Sequence, residues 1–166
     1  MSPFNRPVVL DNDVVSRLYS AGALARVLRI WPKGTFYITG QVLQEASRWP
    51  GRGQYLIALL TQMQVDGTIC VVTLDESSEE EISIYANLLL GRRLGLGESA
   101  SIAIACHRGY DIATDDGLAR EACKAVNSSI AVFGTGDLLK LAVRDGLITR
   151  GESNSINARI RRLAND

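Results

Sequence analysis

Two aspartates follow the first apolar segment of the chain, in the stretch VVLDNDVVSRL at residues 8–18. Asp11 ends the apolar run, and Asp13 comes two residues later. Carboxylates at this spacing suit two chemistries: the nucleophile and general acid of a phosphatase, or one wall of a metal pocket that cleaves nucleic acid. Because Asp11 lies where an apolar strand should enter the core, it is a candidate functional residue rather than a surface charge.

Further acidic residues occur at similar places along the chain. Glu45 lies on a predicted helix after the second strand, Glu98 begins a later helix, and Asp115 and Asp116 follow the fourth strand. Ligand sites in open α/β sheets lie beyond the carboxyl ends of the strands, so these side chains should converge on one cleft. Other acids are expected to be helix caps or surface charges, namely Asp13, Asp66, Asp75 and Asp137.

Carboxylates that share a cleft repel each other unless a divalent cation lies between them. The chain has one histidine, His107, and its three cysteines (Cys70, Cys106 and Cys123) form no CxxC motif. We therefore expect reduced thiols and neither a zinc site nor a disulfide framework. Oxygen ligands alone favour Mg²⁺ or Mn²⁺, which can activate a water molecule for phosphodiester cleavage.

Short apolar segments that alternate with helical patterns must position these acids. Strands are predicted at residues 7–10, 36–38, 69–72, 110–114 and 130–133. Helices are predicted over 13–30 (divisible at Gly22), 39–49, 52–65, 77–90, 97–109, 117–125 and 136–145, with a basic helix at 155–163. For the helix at 77–90, Ser77 and Glu80 have capping-box spacing, and Asp75 is an alternative cap. This alternation predicts a three-layer α/β/α fold with a parallel, five-stranded sheet.

The composition is that of a soluble globular protein, with 46% hydrophobic and 22% charged residues. With 166 residues and no linker or repeat, we expect one domain over residues 1–166, with its core at about 7–149. The formal net charge of zero does not exclude a nuclease, because acids around a metal would cancel basic residues elsewhere. We recognise neither a signal peptide nor a membrane span, which predicts a cytoplasmic protein.

The order of four segments, VVLDNDVVSRL, ITGQVLQEA, LGLGESASIAIA and IATDDGLAREA, resembles the PIN domain. The closing VFGTGDLLKLAVRDGLIT is similar to a branch related to VapC toxins, and the resemblance covers residues 7–149. It implies a metal-dependent ribonuclease that cleaves single-stranded RNA. If the protein is toxin-like, the resemblance also implies a homodimer and an antitoxin partner.

The resemblance also implies roles for individual residues. The catalytic set would be Asp11, Glu45, Glu98 and Asp115, and the metal ligands would be Asp11, Glu98, Asp115 and Asp116. Asn12 and Thr114 would support the site, with Asn12 standing where the family usually has Ser or Thr.

Two other interpretations stay open. In a haloacid dehalogenase-like phosphatase, Asp11 would be the nucleophile and Asp13 the general acid. That mechanism gives Glu45 and Glu98 no role, and Lys33, the only lysine before Asp115, precedes a strand instead of following one. The domain could also be an inactive binding module, although a scaffold gains nothing from mutually repelling charges.

Arginines are the candidates for substrate contacts, because they bind phosphates and stack on unpaired bases. Arg93 and Arg120 are the candidates for substrate binding, among four arginines near the acids in sequence, with Arg92 and Arg108. The tail adds Arg150, Arg159, Arg161 and Arg162, which could equally form a solvated helix face.

Overall fold

The computed structural model describes residues 2–165. Its strands are β1 (Val8–Leu10), β2 (Phe36–Thr39), β3 (Ile69–Val72), β4 (Asp111–Ala113) and β5 (Val132–Phe133). Its helices are α1 (Asn12–Ser20), α2 (Leu24–Leu28), α3 (Gly40–Ser47), α4 (Gly53–Val65), α5 (Glu79–Gly91), α6 (Leu96–Arg108), α7 (Gly117–Val126), α8 (Thr135–Arg144) and α9 (Arg150–Ala164). The strands form one parallel sheet in the order β3-β2-β1-β4-β5, so the predicted α/β fold with five parallel strands is confirmed.

The apolar residues of β1 alternate between two cores, one on each face of the sheet. Val8 and Leu10 belong to a core with residues of α1–α4, α8 and α9, whereas Val9 belongs to a core with residues of α5–α7. All three side chains are at most 1% exposed. A strand that is buried on both faces reads as a continuous apolar run, which is why VVL could be recognised in the sequence.

The first predicted helix is divided into two helices at Gly22. α1 and α2 are separated by Ala21–Ala23, and Gly22 has a φ of 68°, a conformation that side chains with a Cβ rarely adopt. The Gly22 amide donates to the Tyr19 carbonyl and so closes the first helix.

Two predicted helix starts are wrong because other caps are used. α5 is capped by Ser78, whose hydroxyl accepts from the Glu81 amide, rather than by Ser77 or Asp75. The last helix begins at Arg150 instead of residue 155, because Thr149 and Glu152 form a capping box upstream of the apolar periodicity. None of the helices in residues 2–165 combines the length and the apolar character that a membrane crossing requires.

Candidate functional site

The register of two central strands brings Asp11 and Thr114 together at the carboxyl edge of the sheet. Leu10 pairs with Ala113, so the next residue of each strand emerges at the same level. The Thr114 hydroxyl donates to Oδ2 of Asp11 over 3.0 Å, and Oδ1 of Asp11 accepts from the Asn12 amide over 2.8 Å. Asp11 therefore caps α1 while it is only 1% exposed.

The carboxyl group of Asp11 is buried beside other acids. Burial, followed by the negative charges of Asp13 and Glu98, raises the pKa of Asp11 to about 8, against the opposing hydrogen bonds from Asn12 and Thr114. No arginine, lysine or histidine within residues 2–165 forms an ion pair with it. A cation in the cleft would remove this electrostatic penalty.

Glu98 is the acid that connects the others. It lies in the first turn of α6, where its Oε2 accepts from the Gly95 amide over 3.2 Å. Burial and then the charges of Asp116, Asp13 and Glu45 raise its pKa. Because the charge of Glu98 also raises the pKa of Asp11, its carboxylate interacts with four other acids of this cleft: Asp11, Asp13, Glu45 and Asp116.

Glu45 reaches the cleft from α3 across a glycine. Its Oε1 accepts from the Gly97 amide over 2.9 Å. A Cβ at Gly97 would lie only 2.6 Å from Oε2 of Glu45, so only glycine allows this approach. This contact was not predicted from the sequence, in which its only signal is the GLGE spacing at residues 95–98.

The two consecutive aspartates after β4 point to different neighbours. Asp115 accepts from the amide and hydroxyl of Thr135 over 2.8 and 2.6 Å, and its Oδ2 lies 2.7 Å from Nη1 of Arg17. Asp116 caps α7 through the Ala119 amide, and its charge raises the pKa of Glu98. The carboxylate of Asp115 is thus already neutralised, whereas that of Asp116 faces the cleft acids.

Asp13 is part of the cleft and is not the solvated cap that the sequence predicted. Its Oδ2 accepts from the Asp115 amide over 2.8 Å and joins the β1–α1 junction to the β4–α7 junction. Its Oδ1 accepts from the Val14 amide. Burial raises its pKa, the hydrogen bond from Asp115 opposes the rise, and the charge of Asp115 adds to it. The two-residue spacing from Asp11 was the only sequence signal.

The remaining predicted site residues differ in their distance from the acids. The Oδ1 atom of Asn12 accepts from Ser16, one turn along α1. Nη2 of Arg120 and Oδ1 of Asp115 both lie within 3 Å of the point that a Cβ on Gly134 would occupy, so Arg120 borders the cleft. Arg93 is exposed between α5 and α6, at a φ of 55°.

The carboxylates are close enough to raise one another's pKa, but they do not converge on a single metal position. Within residues 2–165, no three His, Cys, Asp or Glu side chains form a cluster that could hold a metal ion as placed. The donor set nevertheless consists only of oxygen atoms, which suits Mg²⁺ or Mn²⁺.

The phosphatase interpretation lacks its lysine in the structure. Lys33 is exposed in the turn before β2, and its side chain packs beside Gly67, which precedes β3. Both positions are at the amino edge of the sheet, opposite Asp11.

Three solved structures are similar to this chain. FitAcB from Neisseria gonorrhoeae is 16% identical, with 77% of this chain and 97% of that chain covered and a TM-score of 0.53. FitAB bound to an IR36 DNA fragment is 18% identical, with 77% and 94% covered and a TM-score of 0.51. A toxin–antitoxin complex from Klebsiella pneumoniae is 18% identical, with 66% and 86% covered and a TM-score of 0.46.

No curated protein matches the chain significantly. The sequence profile of the PIN domain, in contrast, matches residues 7–166, which is nearly the whole chain. This match confirms the resemblance seen in the sequence and takes the place of the phosphatase interpretation. The chain belongs to the PIN domain family.

Proposed function

We propose that this protein is a divalent-metal-dependent ribonuclease of the toxin type, which cleaves single-stranded RNA. The observation that supports it most is the buried Asp11, whose pKa is raised to about 8 beside other acids and without a cation partner in residues 2–165. PIN domains are typically nucleases, and an isolated acidic cleft of this kind has no structural use. When bound, Mg²⁺ or Mn²⁺ would activate a water molecule and stabilise charge on the phosphate.

We assign the metal ligands from the direction of each carboxylate. Asp11, Glu98 and Asp116 would hold the ion, since the charge of Glu98 acts on Asp11 and the charge of Asp116 acts on Glu98. None of the three forms an ion pair with Arg, Lys or His in residues 2–165. Asp115 would act indirectly, because Thr135 and Arg17 occupy its carboxylate.

The supporting residues keep these acids in place. Thr114 donates to Asp11 and accepts from the Asp116 amide over 3.2 Å, so one buried hydroxyl orients two of the ligands. Glu45 would complete the negative cleft from α3 and hold the start of α6 through Gly97. Arg120, at the border, would contact an RNA phosphate.

The test is cleavage of labelled single-stranded RNA by the purified protein, with Mg²⁺ or Mn²⁺ and with a chelator. Asp11→Asn, purified in the same way, controls for contaminating nucleases. We expect cleavage by the wild type only when metal is present, and none by the variant. Cleavage that persists in the chelator or in Asp11→Asn, or a lack of cleavage under either metal, would contradict the proposal.

We further propose an antitoxin partner and a homodimer, as the VapC-related resemblance implies. Exposed leucines near the cleft support a protein contact there: Leu96 at the start of α6 is 51% exposed, and Leu118 at the start of α7 is 60% exposed. Expression of the wild type should arrest bacterial growth, and expression of Asp11→Asn should not. Co-expression of the adjacent reading frame should restore growth, and light scattering of the purified protein should give twice the monomer mass.

A further inference from the structure

A continuous groove leads away from the acids along the exposed side of α1. Its first part, a cavity of 370 Å³, is lined by Glu45 and Asn12 at one end and by Ser16 and Trp49 at the other. The second part shares Ser16 and Trp49 with the first and extends to Ser20, between α1 and α9. The third part shares Ser20 with the second and continues along α9. The three cavities therefore adjoin one another in a path that begins at Glu45, on the border of the acidic cleft.

The groove is positively charged although the chain as a whole is neutral. Arg48 lines its first part, and Arg159 and Arg162 line its far end. Arg17, which lines the middle part, is already paired with Asp115. Among its lining residues in the described part of the chain, Glu45 at the cleft end is the only acid. This charge suits a polyanion whose scissile phosphate lies at the acids and whose neighbouring phosphates follow the arginines.

An aromatic ring stands midway along the groove. Trp49 is half-buried and lines both of the cavities nearest the acids. Its ring is held by Tyr19, edge-to-face at 6.0 Å between centroids, and by the Arg52 guanidinium at 5.3 Å from the ring centroid. A fixed aromatic ring among arginines is the arrangement on which unpaired bases stack.

Small side chains on α1 line the groove between its arginines. Ser16 and Ser20 are one helical turn apart. In the shared lining of the three cavities they lie between Arg48, the residue after α3, and the arginines of α9.

We propose that this groove binds the single-stranded RNA on one side of the cleavage site, with a base stacked on Trp49 and phosphates held by Arg48, Arg159 and Arg162. This inference deepens the ribonuclease proposal and rests on it for the identity of the nucleic acid. An acidic protein segment is the other occupant that the charge would admit, and the experiment below distinguishes the two.

Binding is measured without metal, so that the result does not depend on catalysis. A fluorescently labelled single-stranded oligoribonucleotide is titrated with the full-length protein in chelator, and anisotropy is recorded at two salt concentrations. Two variants are compared with the wild type: Trp49→Ala, and the double variant Arg48→Glu with Arg162→Glu. Both arginines are exposed and form no ion pair in residues 2–165, so their replacement should leave the melting temperature unchanged.

Lys124→Glu is the control, because it reverses one exposed positive charge, as each substitution of the double variant does, on α7 across the sheet from the groove. We expect about tenfold weaker binding for Trp49→Ala and a larger loss, with a smaller salt dependence, for the double variant. Lys124→Glu should bind like the wild type.

Wild-type affinity in both groove variants, or equal losses in Lys124→Glu, would overturn the groove assignment. So would RNA binding that is unchanged in the double variant while binding of an acidic peptide is lost. If RNA binds in the groove but is not cleaved with Mg²⁺ or Mn²⁺, the ribonuclease proposal fails and the groove assignment stands.

Discussion

Two carboxylates of this protein are buried to the same degree, but their pKa values shift in opposite directions. Asp11 is 1% exposed and Glu81 is 0% exposed. Glu81 accepts from Nε and Nη2 of Arg108 over 3.0 and 2.8 Å and from the Asp75 amide over 2.8 Å. Burial raises the pKa of Glu81, but the hydrogen bonds from Arg108 and Asp75 and the Arg108 charge outweigh it, so the pKa is lowered. Asp11 accepts hydrogen bonds but forms no ion pair with an arginine, lysine or histidine in residues 2–165, and its pKa is raised to about 8.

The difference separates a structural acid from a functional one. Arg108 also donates to the Thr73 carbonyl over 2.7 Å, so the Glu81–Arg108 pair ties α5 and α6 to the end of β3. The pair serves the fold, so Arg108, one of the four arginines near the acids in sequence, is committed to a structural contact. A carboxylate that is buried without its own cation weakens the fold, which makes it a strong candidate for binding one from solution.

The largest effect should come from removing charge at the cleft acids. Asp11→Asn and Glu98→Gln keep the side-chain shape and one acceptor oxygen but remove the charge that a divalent ion requires. Metal stabilisation of the transition state is worth several kcal/mol, so each variant should lose about a thousandfold in RNA cleavage rate. Gel assays with single-stranded RNA in Mn²⁺ measure this loss. Near-wild-type cleavage by Glu98→Gln would remove Glu98 from the site.

Substitution in the Glu81–Arg108 pair should instead reduce stability and leave cleavage unchanged. Arg108→Met leaves Glu81 charged and buried, which should lower the free energy of unfolding by about 3 kcal/mol. Urea denaturation measures this loss, while cleavage per folded molecule should stay near the wild-type value. Adding Glu81→Leu to Arg108→Met should recover most of the stability. If the double variant is as unstable as Arg108→Met, the pair stabilises the fold by more than neutralising the buried charge of Glu81.

The two acids should also differ in their response to pH. The pKa of Asp11 rises from an ordinary value of 3.8 to about 8 in the folded protein, so unfolding releases a proton at intermediate pH. The metal-free protein should therefore lose stability as the pH rises from 4 to 8. Asp11→Asn has no ionisable group at this position. At pH 8 its free energy of unfolding should exceed that of the wild type by about 2 kcal/mol, and its melting temperature by roughly 4–8 °C.

Thermal melts in chelator across this pH range check the sign. The difference in melting temperature between Asp11→Asn and the wild type should be near zero at pH 4 and should grow with pH. Glu98 and Asp13, whose pKa values are also raised, should keep part of the slope in the variant. A difference that does not change with pH would mean that Asp11 is not the buried acid responsible.

The order of strands and helices was predictable because apolar runs and helical spacing are local properties. Asp11 directly follows the first strand, VVL, and Thr114 directly follows the fourth. Parallel pairing of these strands then places Asp11 and Thr114 side by side. The start of α9 was misplaced for a local reason as well: its apolar spacing begins at Ile156, but its cap is Thr149.

The directions of the side chains were not predictable in the same way. Asp115 and Asp116 are adjacent in sequence, yet one faces Arg17 and Thr135 and the other faces Glu98. Arg17 is almost 100 residues from Asp115 in sequence, and only the packing of α1 brings them together. The contact between Glu45 and Gly97 is of the same kind, because it depends on how closely α3 approaches α6.

That contact allows a smaller and more selective test of the cleft. Gly97→Ala places a methyl group where the Glu45 carboxylate lies, with a Cβ–Oε2 distance of 2.6 Å, so the flexible Glu45 side chain must move. Helix propensity favours alanine by up to about 1 kcal/mol, so stability should be unchanged or slightly higher. Cleavage should fall about tenfold, as is typical when a supporting contact near a metal site is lost.

Gly136→Ala is the matched control for this change, because Gly136 is the second residue of α8 just as Gly97 is the second residue of α6. A Cβ at Gly136 would meet nothing within 4 Å, so this variant should keep full activity with the same or slightly higher stability. Urea denaturation and RNA cleavage, measured on both variants, separate the two effects. Equal activity in Gly97→Ala and Gly136→Ala would mean that the position of the Glu45 carboxylate does not matter for cleavage. A fall in stability for Gly97→Ala alone would assign Glu45 to the fold, together with Glu81, and not to the site.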